Sequence, residues 1–271
     1  MTLEGRKEHK LLCSDRMANQ ENGRKISRLE VKNLTALVGE SILFEDLNMK
    51  LDSGTIAILY GPRGSGKSAF LRSLARLNME IYPNITYTGK IFLDDVDASS
   101  YKEKELRQIV TYIDTNFLES LDYLNFRELI RLAFGDHFKF NIEEYASELD
   151  EFGVLKALYK FEKTPLSSLY VLEKIGLLLF ISSLRNSSVL VFDCILDHLD
   201  DEHVEFVTKM LKDISQNRII ILATRTLKRF IGLGDVLTIM KSGKILYEGI
   251  PTHTFWRESN ESTSRMSQPC T

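Results

Sequence analysis

Cysteine is scarce: Cys13, Cys194 and Cys270 are the three in 271 residues. They are too few and too scattered for a disulfide framework or a metal cluster, a usage that fits a reducing compartment. A long apolar run is missing too. The longest, residues 175–181, is far short of the roughly 20 residues that a membrane helix needs, so the chain itself is not expected to span a bilayer. Charge of one sign is not in excess. With a formal net charge of −3, no global field draws nucleic acid or an anionic lipid surface, and no nucleic-acid partner is expected. The first 28 residues lack an apolar core, mixing Arg6, Lys7, Lys10 and Arg16 with Glu4, Glu8, Asp15 and Glu21. They do not read as a secretory signal but as a flexible polar extension, with Met17 an alternative start. No internal repeat is found.

What is present is a hydrophobic content of 44%, enough for one large α/β domain or two small ones. From Leu29 the stretches LEVKNLTALV and ILFEDLNMKL mix β-branched and apolar residues between turn-like breaks at Gly39 and at Asp52, Ser53 and Gly54, as strands do. A short apolar run at residues 56–60 feeds directly into GPRGSGKS, after which Phe70, Leu71, Leu74 and Leu77 recur at helical spacing. GKIFLDDVDA adds a short strand. Residues 102–186 read as mainly helical, with Asn125 and Glu128 placed as a capping pair and Asn141 with Glu144 opening IEEYASELDEF in the same way. SSVLVFD and RIIILAT are separated by a helix-like EHVEFVTKMLKDI, the strand, helix, strand order of a parallel, buried sheet. VLTIM follows as another strand, KSGKILYEG reads as a terminal hairpin, and the tail from Arg257 is polar.

Gly61, Pro62, Arg63, Gly64, Ser65, Gly66, Lys67 and Ser68 satisfy the pattern G-x-x-x-x-G-K-[ST]. Glycines let backbone N–H groups converge on phosphate oxygens, the lysine brings a point charge to the β- and γ-phosphates, and the serine hydroxyl helps to hold Mg²⁺. The helix that starts here turns its positive end to the anion. A phosphate chain with Mg²⁺ is therefore the expected ligand. Asp193, ending the apolar strand VLVFD, fits as the second acid on the metal side, with Ser68 as its partner.

Together NLTALVGESILFEDLNMKLDSGTIAILYGPRGSGKSAFLRSLARL, the distant PLSSL, then SSVLVFDCILDHLD and ILATRT resemble the nucleotide-binding domain of ABC transporters in order and spacing over residues 29–250. The resemblance implies an α/β phosphate-loop fold with a mixed sheet core, an antiparallel N-terminal β part and an inserted helical part. A single such domain over residues 29–256 is expected, divided into 29–101, 102–186 and 187–256, between an extension at 1–28 and a tail at 257–271. It also implies a second nucleotide-binding domain, like or unlike, paired head-to-tail over ATP, and a membrane-spanning subunit. The chain would then lie peripherally on the cytoplasmic face of a membrane, an organelle interior being the other setting.

Several positions depart from that family's pattern. Val38 stands where an aromatic residue would stack on adenine, and Thr115 replaces the glutamine that senses Mg²⁺. The signature Leu-Ser-Gly-Gly-Gln becomes Leu166, Ser167, Ser168, Leu169 and Tyr170, so a leucine side chain is expected to project where backbone should approach a γ-phosphate. Cys194 takes the place of the catalytic glutamate and Arg225 that of the switch histidine. A neutral thiol is a poor acceptor for a water proton, and losing a positioned base costs ~10²–10⁴ in rate. Cys194 is otherwise a small buried hydrophobe, Arg225 a surface residue or a bidentate phosphate donor, and Asp197 the one nearby carboxylate able to substitute as a base. Asp200 keeps the acid at the dimer seam. No catalytic residue is assigned. The expectation is an ATP-binding subunit whose hydrolysis is lost or strongly impaired, the alternatives being an active transport ATPase and a scaffold that binds no nucleotide.

Overall fold

The computed structural model describes residues 24–161, 163 and 165–251. Most of the expected extension, the expected tail, Cys13, Met17 and Cys270 lie outside the described residues. The fold takes hold at Ile26, two residues inside the expected extension: its side chain is buried and its N–H donates to Ser188 Oγ at 2.9 Å.

Alternation of apolar and polar residues builds the first sheet. Strands β1 (Arg28–Val38) and β2 (Ser41–Asp52) pair antiparallel, and β1 pairs on its other edge with an antiparallel strand, Ile85–Leu93. Leu29, Val31, Leu34 and Ala36 of β1 point inward with Phe44, Leu47, Met49 and Leu51 of β2. The register slips between Val31 and Leu34, around Asn33 at φ 47°. This extra residue returns Leu34 and Ala36 to the core face.

The second sheet contains β3 (Ile56–Tyr60), between the two strands just described and the rest of the chain. We number the Ile85–Leu93 strand β4 and the short Val96–Asp97 strand β5, then β6 (Val110–Ile113), β7 (Val189–Asp193), β8 (Ile219–Thr224), β9 (Val236–Lys241) and β10 (Lys244–Gly249). Its order is β10-β9-β3-β8-β7-β6, parallel from β9 to β6, with β10 returning antiparallel as the expected hairpin. Both faces of β7 and β8 are buried, which is why they read as unbroken apolar runs.

The pleat divides these strands between two cores. Ala57, Leu59, Val189, Val191, Ile219 and Ile221 join the first sheet and α1 (Lys67–Leu74) in one cluster. Ile56, Ile58, Leu190, Phe192, Ile220 and Leu222 join the helices on the other face. Those helices are, after α2 (Glu103–Ile109), α3 (Thr115–Ser120), α4 (Phe126–Phe134), α5 (Ala146–Glu151), α6 (Leu155–Phe161), α7 (Val171–Leu184) and α8 (Asp201–Ser215). α7 is apolar nearly all round and accordingly buried along Ile175, Leu177, Leu178, Leu179 and Phe180.

The capping pair at Asn125 forms as expected, with Glu128 N–H donating to Asn125 Oδ1 at 3.0 Å and Asn125 N–H to Glu128 Oε2 at 2.8 Å. The second pair does not open a helix. Asn141 Oδ1 instead accepts from Glu143 N–H in a turn, and α5 begins only at Ala146. Aromatic contacts surround the turn. Phe140 and Tyr145 stack at 5.2 Å and 9°, and both meet Phe180 edge-on.

Candidate functional site

Strands β3, β7 and β8 all end on one edge of the sheet, and the loops that follow them meet there, the usual place for a ligand in a parallel sheet. The first is the glycine loop of residues 61–68. Gly61 N–H donates to Thr224 O at 3.3 Å, and the loop's rear is closed by Gly243 N–H, which donates to Ser65 O at 3.0 Å from the turn between β9 and β10. This packing leaves no room for side chains. A Cβ on Gly61 would lie 2.2 Å from Met240 O, and one on Gly66, at φ 94°, 2.7 Å from Leu43 O. α1 starts directly from Gly66 with no side-chain cap, so its first-turn N–H groups remain open to an anion. Pro62, Arg63 and Gly64 are exposed at the loop's outer rim.

Lys67 is buried inside this loop, its Nζ donating to Gly61 O at 2.7 Å, Pro62 O at 3.0 Å and Ser65 Oγ at 3.2 Å. Burial holds its pKa below the usual lysine value, against the fields of Cys194 and Asp193, which raise it. Asp193 is also buried. Tyr112 Oη donates to its Oδ2 at 2.8 Å, while Oδ1 has no partner at all. Burial, then the Asp193 charge, pushes the Tyr112 phenol far up, so it serves as a donor. The same hydroxyl lies 3.3 Å from Asp114 Oδ2, and Asp114 Oδ1 caps α3 by accepting from Phe117 N–H at 2.8 Å. Asp114, one residue before Thr115, is therefore the side chain joined to Asp193 through Tyr112. Thr115 opens α3.

Cys194 follows Asp193 with φ 55°, a left-handed conformation uncommon for a residue with a side chain. Its thiol is pushed up to about 12 by burial and the adjacent Asp193, so at neutral pH it is protonated and inert as a base. Asp197, the other carboxylate in reach, is fully engaged. Its Oδ1 accepts from Thr224 Oγ1 and, at 3.0 Å, from Thr226 Oγ1; its Oδ2 accepts from Arg225 N–H at 2.9 Å and Arg225 Nε at 3.4 Å. The donors are Thr224 at the end of β8 and Arg225 and Thr226 in the turn after it. Arg229, on the helical turn Leu227–Phe230, adds bonds to Asp197 O at 3.3 Å and Leu199 O at 2.6 Å. Asp200 caps α8 through His203 N–H at 2.8 Å.

Leu166, Ser167 and Ser168 form a short turn before α7. Contrary to expectation, Leu169 does not project. It is 5% exposed and packs in the helical core, because Leu166 and Leu169, three apart, face the same apolar cluster. What projects is Tyr170, 80% exposed, with Ser167 and Ser168 exposed beside it. Val38 ends β1 opposite Ile85, half-buried against the first core.

On the helical side, Phe117, Leu121, Leu124, Leu129, Leu132 and Leu178 line an apolar groove of about 310 Å³. Arg185 lies on its wall, donating to Arg107 O at 3.0 Å, with Nε buried and without a partner. Burial lowers its pKa, and among the described residues no carboxylate pairs with it. No helix among the described residues is long and apolar enough to cross a membrane.

A glycine cradle between a central parallel strand and a helix, with an aspartate at the end of a neighbouring strand, defines an α/β domain of the phosphate-loop class. The ABC transporter family model matches residues 44–193, more than half of the chain, and the chain belongs to that family. It is 25% identical over 224 residues to the petrobactin import ATP-binding protein FpuC of Bacillus anthracis, covering 81% of this chain and 80% of that one. It is 39% identical over 90 residues to a putative HMP/thiamine import ATP-binding protein, YkoD, of Bacillus subtilis; the match covers 33% of this chain and spans only 15% of that relative's length. Among solved structures, cbiO1 of Clostridium perfringens, part of the ABC transporter complex cbiONQ, superposes with a TM-score of 0.66 over 90% of this chain and 96% of that one. At 19% identity this likeness establishes the fold.

The residues present fit a nucleotide triphosphate with a divalent cation. The cradle is one that any Cβ at Gly61 or Gly66 would fill, and the bare Asp193 Oδ1 is a buried acceptor that a cation would satisfy. Ser68 and Asp193 would contribute the protein oxygens, the remainder of the shell coming from phosphates and water. Sequence reasoning missed Tyr112, Asp114 and the grip of Asp197. Residues 102–186 read as mainly helical, and only the pairing of β6 with β7 in the fold brings Tyr112 to Asp193.

Proposed function

We propose that the chain is the ATP-binding subunit of an ABC-type membrane complex, holding Mg-ATP through residues 61–68 and Asp193, with hydrolysis lost or strongly impaired. One contrast carries the reading: the phosphate cradle is complete, while the two groups positioned to take a proton from water are a protonated thiol and a carboxylate saturated by four donors. Bound Mg-ATP would then stabilise an assembly, contributing about 2.7 kcal/mol at ~100 times its Kd. Dialysis with labelled ATP is expected to find binding that raises the melting temperature and is abolished by Lys67→Ala. Isolated chain is expected to release γ-phosphate no faster than Lys67→Ala does; steady turnover above that background would sink the loss of hydrolysis.

The partner chains belong to the same reading. The groove beside α3 and α4, with Arg185 lacking an acid, supports docking of an apolar segment of a membrane-spanning subunit. The peripheral position at a membrane follows from that partner. Replacing Arg185 by Glu is expected to abolish co-purification with the membrane subunit while leaving ATP binding unchanged.

A second reading, an active ATPase energising transport, is favoured by the likeness to FpuC, an import ATP-binding protein. An unlike nucleotide-binding partner would supply an intact signature segment in place of residues 166–170. Turnover by the co-purified complex that Lys67→Ala abolishes, absent from the isolated chain, is the outcome that favours it.

A further inference from the structure

We propose that Tyr112 is a positioning residue that decides which oxygen of Asp193 a divalent cation meets, and so sets the preference of the site for Mg²⁺. The proposal rests on residues 61–68 and Asp193 being a Mg-nucleotide site. β6 and β7 run parallel with Tyr112 opposite Val191, which places the phenol beside the end of β7. The two oxygens of Asp193 are consequently unequal: Oδ2 holds the Tyr112 hydroxyl at 2.8 Å, and Oδ1 is bare. Oδ1 is then the oxygen open to a cation, while Oδ2 keeps the phenol. Mg²⁺, with six ligands in a tight octahedron, uses a monodentate carboxylate readily, whereas Ca²⁺ with its larger shell gains from bidentate ones. Asp114 Oδ2 lies 3.3 Å from the same hydroxyl, whose one proton goes to Asp193 at the shorter distance, and Asp114 Oδ1 is fixed to Phe117 N–H.

Tyr112→Phe removes the hydroxyl and keeps the ring. ATP affinity of the purified chain is to be measured by titration calorimetry in EDTA, in Mg²⁺ and in Ca²⁺, with the melting temperature in EDTA as the check that the fold is retained. The expected result is unchanged affinity in EDTA, a loss of about tenfold in the Mg²⁺-dependent gain, the scale typical of groups that orient a metal ligand, and a smaller loss in Ca²⁺. An equal loss in all three media would make Tyr112 a structural residue only, and an unaltered Mg²⁺ gain would remove its role; either overturns the proposal. If the parent binds no ATP in any medium, the nucleotide reading falls and this one with it. If the parent binds with a Mg²⁺ gain that Tyr112→Phe leaves intact, this one falls alone.

Discussion

The loop after β3 and the segment after β7 face one another across the same edge of the sheet, yet they are built by opposite means. Residues 61–68 are shaped by the absence of side chains: Gly61 and Gly66 sit where a Cβ would strike the backbone of Met240 or Leu43. Residues 194–201 are shaped by side chains, with Cys194 in a left-handed conformation and Asp197 gathering the turn after β8 onto its carboxylate. A segment of the first kind tolerates one small set of residues. A segment of the second kind can be rewired, and its chemistry can change while its position in the fold is kept.

Substitution should separate the two. Gly61→Ala is expected to have the largest effect, about 3 kcal/mol of destabilisation by denaturant unfolding, the upper range for overpacking, together with loss of ATP binding. A cost under about 1 kcal/mol, within the reach of side-chain adjustment, would mean the cradle yields. Asp197→Ala strips one acceptor from four donors and is expected to cost about 2 kcal/mol while ATP still binds; a loss of binding as complete as that of Lys67→Ala would erase the distinction between the two segments.

The cradle was legible because backbone geometry dictates residue type: a glycine forced by close approach looks the same in any chain. The parallel sheet was legible for a similar reason, since strands buried on both faces, such as 189–192 and 219–223, are apolar throughout. The helical part was less so. Asn141 and Glu144 have capping chemistry, yet the helix waits until Ala146, and Phe140 and Tyr145 both meet Phe180, 40 and 35 residues on, contacts of which a local pattern carries no trace. Leu169 was misjudged because a motif position describes where the backbone lies and leaves open which way the side chain turns. Tyr112 and Asp197 act through partners dozens of residues away, which only the assembled fold brings together.

Two smaller effects sharpen the comparison further. Cys194→Glu restores a carboxylate at φ 55°, and γ-phosphate release is expected to rise less than about tenfold, well short of the 10²–10⁴ that a positioned base supplies, because Tyr170 and Arg225 remain. A gain of a hundredfold would mean that the base was the single missing part. The smallest effect is one of pH. The Cys194 thiol is raised from an ordinary 9.0 to about 12, so its contribution to stability is complete below about pH 9 and is lost as pH rises towards 12. Cys194→Ser should therefore lose less stability than the parent between pH 8 and 10.5. Identical pH profiles would show that the thiol ionises freely in the folded chain.

The knot of bonds centred on Asp197 also has a mechanical meaning. Because Thr224, Thr226, Arg225 and Arg229 all hang from the 197–199 stretch, the two turns form a single lever arm. Arg225 is thereby tied to the segment that runs into Asp200 and the head of α8.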